Sequence, residues 1–390
     1  MNFVGKLRPS SAKLCVLAVV LAASQAGQSF GAMVLQAPFS SQFTLNTFAS
    51  GFAFPTGGGT GAVGVTFDST HVYVSQLFVG GGDGKNFFVF PSRALGQTVA
   101  SSGSLTTSAG VITASFGNQS TDGLANWNGH IFMASEGFQN LGEITLPGGA
   151  VSHRVGPSPI PGITAAVASN VRGKVYVNIG STDVNSSPLP PQILEYDGAS
   201  LIPPNPILSR NFASFNGTAN IAVDSMALSG DQNTLYVLWN NGHIFGYSTA
   251  PGTGYAAETV DITASLAGGV LPANIYGGKT GLIAGTGAFE GMLFLNGNDG
   301  SLYEINPAAA VQANRLTAIA TGGSIGQFMA TDPLTGDMYI TQSDSVLVLH
   351  STNANAGFAS TAIPGAAPEP ASLGLLGLSG MALLRRRRQA

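Results

Sequence analysis

Residues Phe67-Asp-Ser-Thr-His-Val-Tyr-Val74 and Ala330-Thr-Asp-Pro-Leu-Thr-Gly-Asp-Met-Tyr-Ile340 carry one pattern twice. An apolar run ends at an aspartate, a turn follows, and a short β-branched run with a central tyrosine comes next. Working outward, the tyrosine run has four more counterparts: His130-Ile-Phe-Met-Ala134, Lys174-Val-Tyr-Val-Asn178, Thr234-Leu-Tyr-Val-Leu238 and Gly291-Met-Leu-Phe-Leu295. The central aromatics are Tyr73, Phe132, Tyr176, Tyr236, Phe294 and Tyr339, at gaps of 59, 44, 60, 58 and 45 residues. Each run is followed by a second strand-like run, such as Gly242-His-Ile-Phe-Gly-Tyr247 or Ser345-Val-Leu-Val-Leu349. Several have an apolar run in front: Ala62-Val-Gly-Val-Thr-Phe67, Asn220-Ile-Ala-Val223 and Gly326-Gln-Phe-Met-Ala330. Short runs rich in Val, Ile, Tyr and Phe, bounded by Gly, Asn, Asp and Pro, read as strands, and no long helical periodicity intervenes.

About three strands per unit, repeated six times, predict an all-β chain folded as a β-propeller. Each small sheet must cover two faces, and radial packing does this while leaving only short edges. The count is six blades, or seven if Phe39 to Phe54 adds one; that segment could instead supply a strand that closes the ring. A large β-sandwich or β-solenoid is the alternative, and the irregular gaps weaken the solenoid. The repeated order of apolar strand, Asp, turn and Val-Tyr-Val strand resembles NHL-type and senescence-marker-protein-like propellers. That resemblance implies fold only.

The composition fits this class. Charged residues are 9% of the chain and Gly numbers 53, with a mean hydropathy of +0.26. Disordered chains are richer in charge than this. Seven of the 15 Lys/Arg stand at the two ends, and the remaining eight face 19 acidic residues, a net of −11 for the middle. Such a body is repelled by nucleic acid and anionic lipid. The single cysteine, Cys15, lies near the N-terminus, so the body has no disulfide or thiolate metal site.

Both ends carry signals. Lys6, Arg8 and Lys13 precede the apolar run Leu14 to Ala23, and Ser24-Gln-Ala26 offers small residues. This predicts a secretory signal peptide over 1–26, cleaved after Ala26. At the other end Pro368, Glu369 and Pro370 precede the uncharged, mostly apolar stretch 371–384, which is followed by Arg385, Arg386, Arg387 and Arg388. By the positive-inside rule the arginines stay cytoplasmic. Fourteen helical residues reach about 21 Å against a hydrocarbon core of ~30 Å, so this short transmembrane tail is a transient inner-membrane anchor. The order resembles the PEP-CTERM sorting signal. The resemblance implies handling by exosortase, a membrane transpeptidase-like enzyme of Gram-negative bacteria that make exopolysaccharide. The organisation expected is a signal peptide over 1–26, a propeller-like body over 37–365 and a sorting signal over 366–390.

Candidate chemistry in the body is sparse. Asp68, Asp224 and Asp332 are each expected to end an inner strand before a turn. Carboxylates on one channel face could hold Ca²⁺ through oxygens at about 2.3–2.6 Å. Equally, each could accept N–H groups of its own turn. Convergence of three or more of Asp68, Asp122, Asp183, Asp224, Glu290 and Asp332 would favour the metal reading. Asn296-Gly-Asn298-Asp299-Gly300 resembles a calcium loop in composition but reads as a hairpin turn. Asn128-Gly-His130 and Asn241-Gly-His243 read as Asn-Gly turns rather than a shared metal site. Gly59-Thr-Gly61-Ala-Val-Gly64 lacks the strand and helix a dinucleotide site needs. Trp127 and Trp239 could stack on sugar rings or pack between blades. No catalytic residue is assigned. The expected role is a non-catalytic binding or structural propeller at the cell surface or in the matrix, associated with exopolysaccharide. The alternative is a metal-dependent, lactonase-like hydrolase or a carbohydrate-active enzyme.

Overall fold

The computed structural model describes residues 32–52, 61–76, 87–101, 103–104, 123–134, 141–145, 150–155, 165–169, 171–179, 192–201, 208–215, 221–277 and 280–360. The expected signal peptide and sorting tail lie outside them. Among the described residues no helix is long and apolar enough to cross a membrane.

These residues form six sheets, paired almost wholly antiparallel. We number the sheets I to VI. Sheet I runs Ala62–Phe67, Val72–Gln76, Phe87–Phe90 and Gly103–Ser104. Sheet II runs Leu124–Trp127, His130–Met133, Leu141–Thr145 and Ala150–Val155. Sheet III runs Ala166–Ser169, Lys174–Ile179, Gln192–Asp197 and Leu208–Ser214. Sheet IV runs Val223–Leu228, Thr234–Trp239, Ile244–Ser248 and Glu258–Asp261. Sheet V runs Gly281–Gly287, Leu293–Asn296, Leu302–Ile305 and Leu316–Thr321, with Val34–Leu35 on its outer edge and Ala356–Phe358 on its inner strand. Sheet VI runs Gly326–Thr331, Met338–Gln342, Ser345–Ser351 and Phe43–Ser50.

The first strands of the sheets touch in the order I, II, III, IV, V, VI and back to I. This closed ring makes the arrangement propeller-like. The six predicted aromatic runs all become second strands. Five of their central aromatics are buried, and Tyr236 is half-buried. Most sheets carry a fourth strand that the sequence pattern did not reveal.

Within the described part of Phe39 to Phe54, the strand Phe43–Ser50 closes the ring rather than adding a sheet. Phe43–Ser50 pairs with Ser345–Ser351, from Phe43 opposite Ser351 to Ser50 opposite Ser345. Gln97–Thr98, from the connection between the third and fourth strands of sheet I, then adds in parallel to Ala49–Ser50. Sequence-distant ends therefore meet at one seam. Edges that would otherwise be open are paired there.

Apolar clusters fill the seams II–III, III–IV, IV–V, V–VI and VI–I. The first strands of sheets I, IV and VI are buried along their whole length. Their neighbours cover both faces, so their sequences lack a regular apolar–polar alternation. Phe48 shows the packing. It is 0% exposed and meets Phe90 and Tyr339 edge-on, both at 5.1 Å between centroids. Burying one such side chain contributes about 1.5–3 kcal/mol.

Candidate functional site

The first strands surround the axis of the ring. Side chains of Val65, Leu124, Val167, Met226, Phe328 and Met329 line its middle and leave a cavity of about 20 Å³. That is room for about one water.

At one end of the channel lie the turns from first to second strands. Asp68 and Asp332 stand there, each just after its first strand as expected. Asp68 Oδ1 accepts the N–H groups of Thr70 and His71 at 2.6 and 2.5 Å. Its Oδ2 accepts from the Tyr73 hydroxyl at 2.7 Å and meets His71 Nδ1 at 2.9 Å. Burial pushes this carboxyl up, but the four donors outweigh it and hold Asp68 below its ordinary 3.8. Burial first, then the Asp68 carboxylate, push the Tyr73 phenol well above its ordinary 10.0.

Asp332 is 0% exposed and pairs with Arg93. Arg93 Nη2 donates to Asp332 Oδ1 at 3.1 Å and to the Asp68 carbonyl at 2.7 Å. The guanidinium also lies 5.8 Å from the Phe67 ring centroid. Arg93 thus joins the turn of sheet I to that of sheet VI. Sequence reading missed it because Arg93 and Asp332 stand 239 residues apart.

Asp224 lies elsewhere. It does not end a first strand; the strand is Val223–Leu228 and Asp224 is its second residue. The apolar run Asn220 to Val223 only leads into it. Asp224 therefore sits at the opposite end of the channel from Asp68 and Asp332. It accepts the N–H groups of Gly277 and Thr280 at 2.9 and 3.4 Å. Glu290 is exposed on the turn of sheet V, while Asp122 and Asp183 lie outside the described residues. Among the described residues, no three His, Cys, Asp or Glu side chains come together in a metal-sized group.

The Asp224 end is the more polar one. The first strands of sheets I, IV and VI each carry a bulge there. Bulges re-aim side chains and break ladder pairing. Asn296 Nδ2 donates to the carbonyls of Gln327 and Thr341, both at 2.8 Å. Gln342 Nε2 donates to Asn296 Oδ1 at 2.8 Å, and Thr341 Oγ1 donates to the Val63 and Phe328 carbonyls at 2.8 and 2.6 Å. This network stitches sheets V, VI and I. Inside it, Gln327 is 1% exposed and, among the described residues, neither polar atom of its side chain has a hydrogen-bond partner. Such a buried orphan costs about 1–3 kcal/mol per group.

The remaining candidates are structural. Asn128-Gly129 turns between the first and second strands of sheet II, with φ of 52° and 85°. Asn241-Gly242 turns between the second and third strands of sheet IV, so His130 and His243 occupy different turns. Asn296 to Gly300 is a hairpin connection. There Asp299 accepts from Ser301 N at 3.1 Å and from the Tyr303 hydroxyl at 2.6 Å. Both tryptophans pack between sheets. Trp239 is 0% exposed. Trp127 lies on Gly198, directly after the third strand of sheet III, where a Cβ would come within 2.5 Å of the indole.

Residues 366–388 match the PEP-CTERM protein-sorting motif. The motif marks an exported chain sorted at the membrane. The body is similar in fold to two solved structures. A candidate gluconolactonase shares 13% identity over 82% of this chain and 98% of its own, at a TM-score of 0.52. The gluconolactonase of Xanthomonas campestris shares 10% identity over 83% and 99%, also at 0.52. At such identities the likeness concerns fold alone. No curated protein matches the sequence.

Proposed function

We propose that this chain is an exported cell-surface or matrix protein of a Gram-negative envelope, sorted by an exosortase-type enzyme and acting through non-catalytic contacts with exopolysaccharide. The observation that carries the reading is the sorting motif at residues 366–388. Pro368, Glu369 and Pro370 present the recognition element. The apolar stretch 371–384 enters the bilayer, and Arg385 to Arg388 hold the end in the cytosol. In this reading a signal peptide over 1–26 starts export with cleavage after Ala26, and each of the six sheets is one blade of the exported body.

The rival reading, a metal-dependent propeller hydrolase, draws support from fold likeness to gluconolactonases. It would need a polar, open channel with converging carboxylates. The non-catalytic reading draws support from the apolar side chains that fill the channel and from the separation of Asp224 from Asp68 and Asp332. Ca²⁺ at these three aspartates is kept as part of the rival proposal only.

The test replaces Arg385, Arg386, Arg387 and Arg388 together by alanine and follows the chain by cell fractionation and mass spectrometry of both ends. The wild-type chain is expected outside the cytosol, with its N-terminus after Ala26 and its tail removed. The variant is expected to keep its tail. Uncut wild-type chain dissolved in the cytosol overturns the proposal.

A further inference from the structure

On the outer side of the ring, between sheets III and IV, lies an open groove of about 300 Å³. Its lining includes the rings of Phe215, Phe245, Tyr247 and Tyr255, with Ser214 and Glu258 as polar members. The volume falls at the lower end of small-molecule sites.

The groove is built. The segment after Ile244–Ser248 crosses to sheet III, where Ala256 N–H donates to the Phe212 carbonyl at 2.7 Å. Arg210 Nη2 donates to the Ala250 carbonyl at 2.9 Å. The segment is thus tied to sheet III at two points, and it carries Tyr255 with 57% of its surface exposed. The rings beneath are fixed from behind. Phe245 stacks on His243 at 5.5 Å and 6°. Phe215 meets buried Trp239 edge-on at 5.4 Å and Phe245 at 6.1 Å. Rigid rings present contact area at low conformational cost. The Glu258 side chain is exposed and, among the described residues, makes no hydrogen bond or ion pair.

From this geometry we infer that the groove between sheets III and IV, floored by Phe215 and Phe245 and flanked by Tyr255 and Glu258, binds a pyranose unit of an uncharged glycan. A sugar ring offers apolar C–H groups on its face and hydroxyls around its rim. The aromatic rings take the face, and Glu258, Ser214 and the Tyr255 hydroxyl accept or donate at the rim. Charge selects the class of glycan. Glu258 and the net of −11 on the middle of the chain repel uronate and sulfated polymers.

The inference rests on the reading of the body as a glycan-binding module and does not depend on how the tail is sorted. The test titrates the purified exported protein with cellohexaose, maltohexaose and chitohexaose, with an alginate hexamer and tetramethylammonium as controls. Binding is read by calorimetry. An uncharged hexasaccharide is expected to bind, the alginate hexamer to bind at least tenfold more weakly, and Tyr255→Ala to weaken glycan binding about tenfold. Tyr255→Phe is expected to retain most binding, and Glu258→Gln to lose a few-fold. Glycan binding left intact by both Tyr255→Ala and Phe245→Ala overturns the groove while the binding role of the body stands. A wild-type protein that binds none of the uncharged glycans, nor the exopolysaccharide of its own culture, overturns both. Tighter binding of tetramethylammonium than of any glycan overturns the saccharide assignment.

Discussion

The seam between sheets VI and I and the seam between sheets III and IV are made of the same parts, yet one is sealed and the other opens to solvent. At VI–I, Phe67 and Tyr339 meet edge-on at 4.8 Å, and Phe48 and Phe90 extend the row. The Arg93–Asp332 pair then caps it, with the guanidinium over Phe67. At III–IV, Tyr176 and Phe212 also meet edge-on at 4.8 Å. A comparable pair covers Phe212: Arg210 lies 4.8 Å above its ring, and Arg210 Nη2 sits 3.0 Å from Glu195 Oε2. Here, however, the aromatic row runs past the ion pair to Phe215, Phe245 and Tyr255. Glu258 stands at that outer end without a cation partner among the described residues. An ion pair at the end of an aromatic row closes it; rings that extend beyond the pair remain as a surface that can receive a ligand.

Two truncations at the sealed seam give the largest effects. Phe48→Ala removes a fully buried ring from the strand that closes the ring of sheets. Its expected cost is about 3–5 kcal/mol, read as a shift in denaturation midpoint. A cost under 1 kcal/mol (a rough threshold) would mean that the N-terminal strand is not docked. Arg93→Ala leaves the Asp332 carboxylate buried without its cation, at an expected cost of about 3–5 kcal/mol. Asp332→Asn added to Arg93→Ala should recover part of that loss, because the uncompensated charge is gone. Recovery distinguishes a buried ion pair from simple packing, and an additive further loss refutes the pairing.

A smaller and opposite effect is expected at the polar channel end. Gln327→Met keeps the volume of a buried side chain and removes two polar atoms without partners. The fold should gain about 1–3 kcal/mol. Destabilisation instead would show that the amide finds partners in solution.

What the sequence could reveal follows from the range of each interaction. Tyr73, Phe132, Tyr176, Tyr236, Phe294 and Tyr339 were legible because each sits in a local β-branched run with a turn on either side. The ring-closing role open to Phe39 to Phe54 was legible as one of two options, since alternating apolar residues say strand but not which partner. Asp224 was misplaced by one strand end because an aspartate inside Val223–Leu228 interrupts the apolar pattern and sits at a bulge. Arg93 gave no signal, since its partner is remote in sequence. For Trp127 and Trp239 the sequence left two options, stacking on sugar or packing between blades, and the structure packs both against neighbouring sheets. Tyr255 sits in a Gly-rich connection, Pro251-Gly-Thr-Gly-Tyr255, which reads as a plain turn.

The smallest expected effect is the sharpest test of the comparison. Tyr339 and Tyr255 lose the same atoms on mutation to alanine, so differences in cost report their surroundings. Tyr339 is 2% exposed and wedged between Phe48 and Phe67. Burial first, then the Asp332 carboxylate, push its phenol well above the ordinary 10.0. Tyr339→Ala should therefore cost about 3–5 kcal/mol, the cavity price of a large core side chain. Tyr255 makes no ring contact with the rows beneath it among the described residues, and more than half its surface meets water. Tyr255→Ala should change stability by no more than about 0.5 kcal/mol. Equal costs in the two variants would mean that the III–IV row is core after all, closed in solution as tightly as VI–I. A near-zero cost at Tyr255 leaves its aromatic ring without a folding role, as a side chain that meets a ligand and not the core requires.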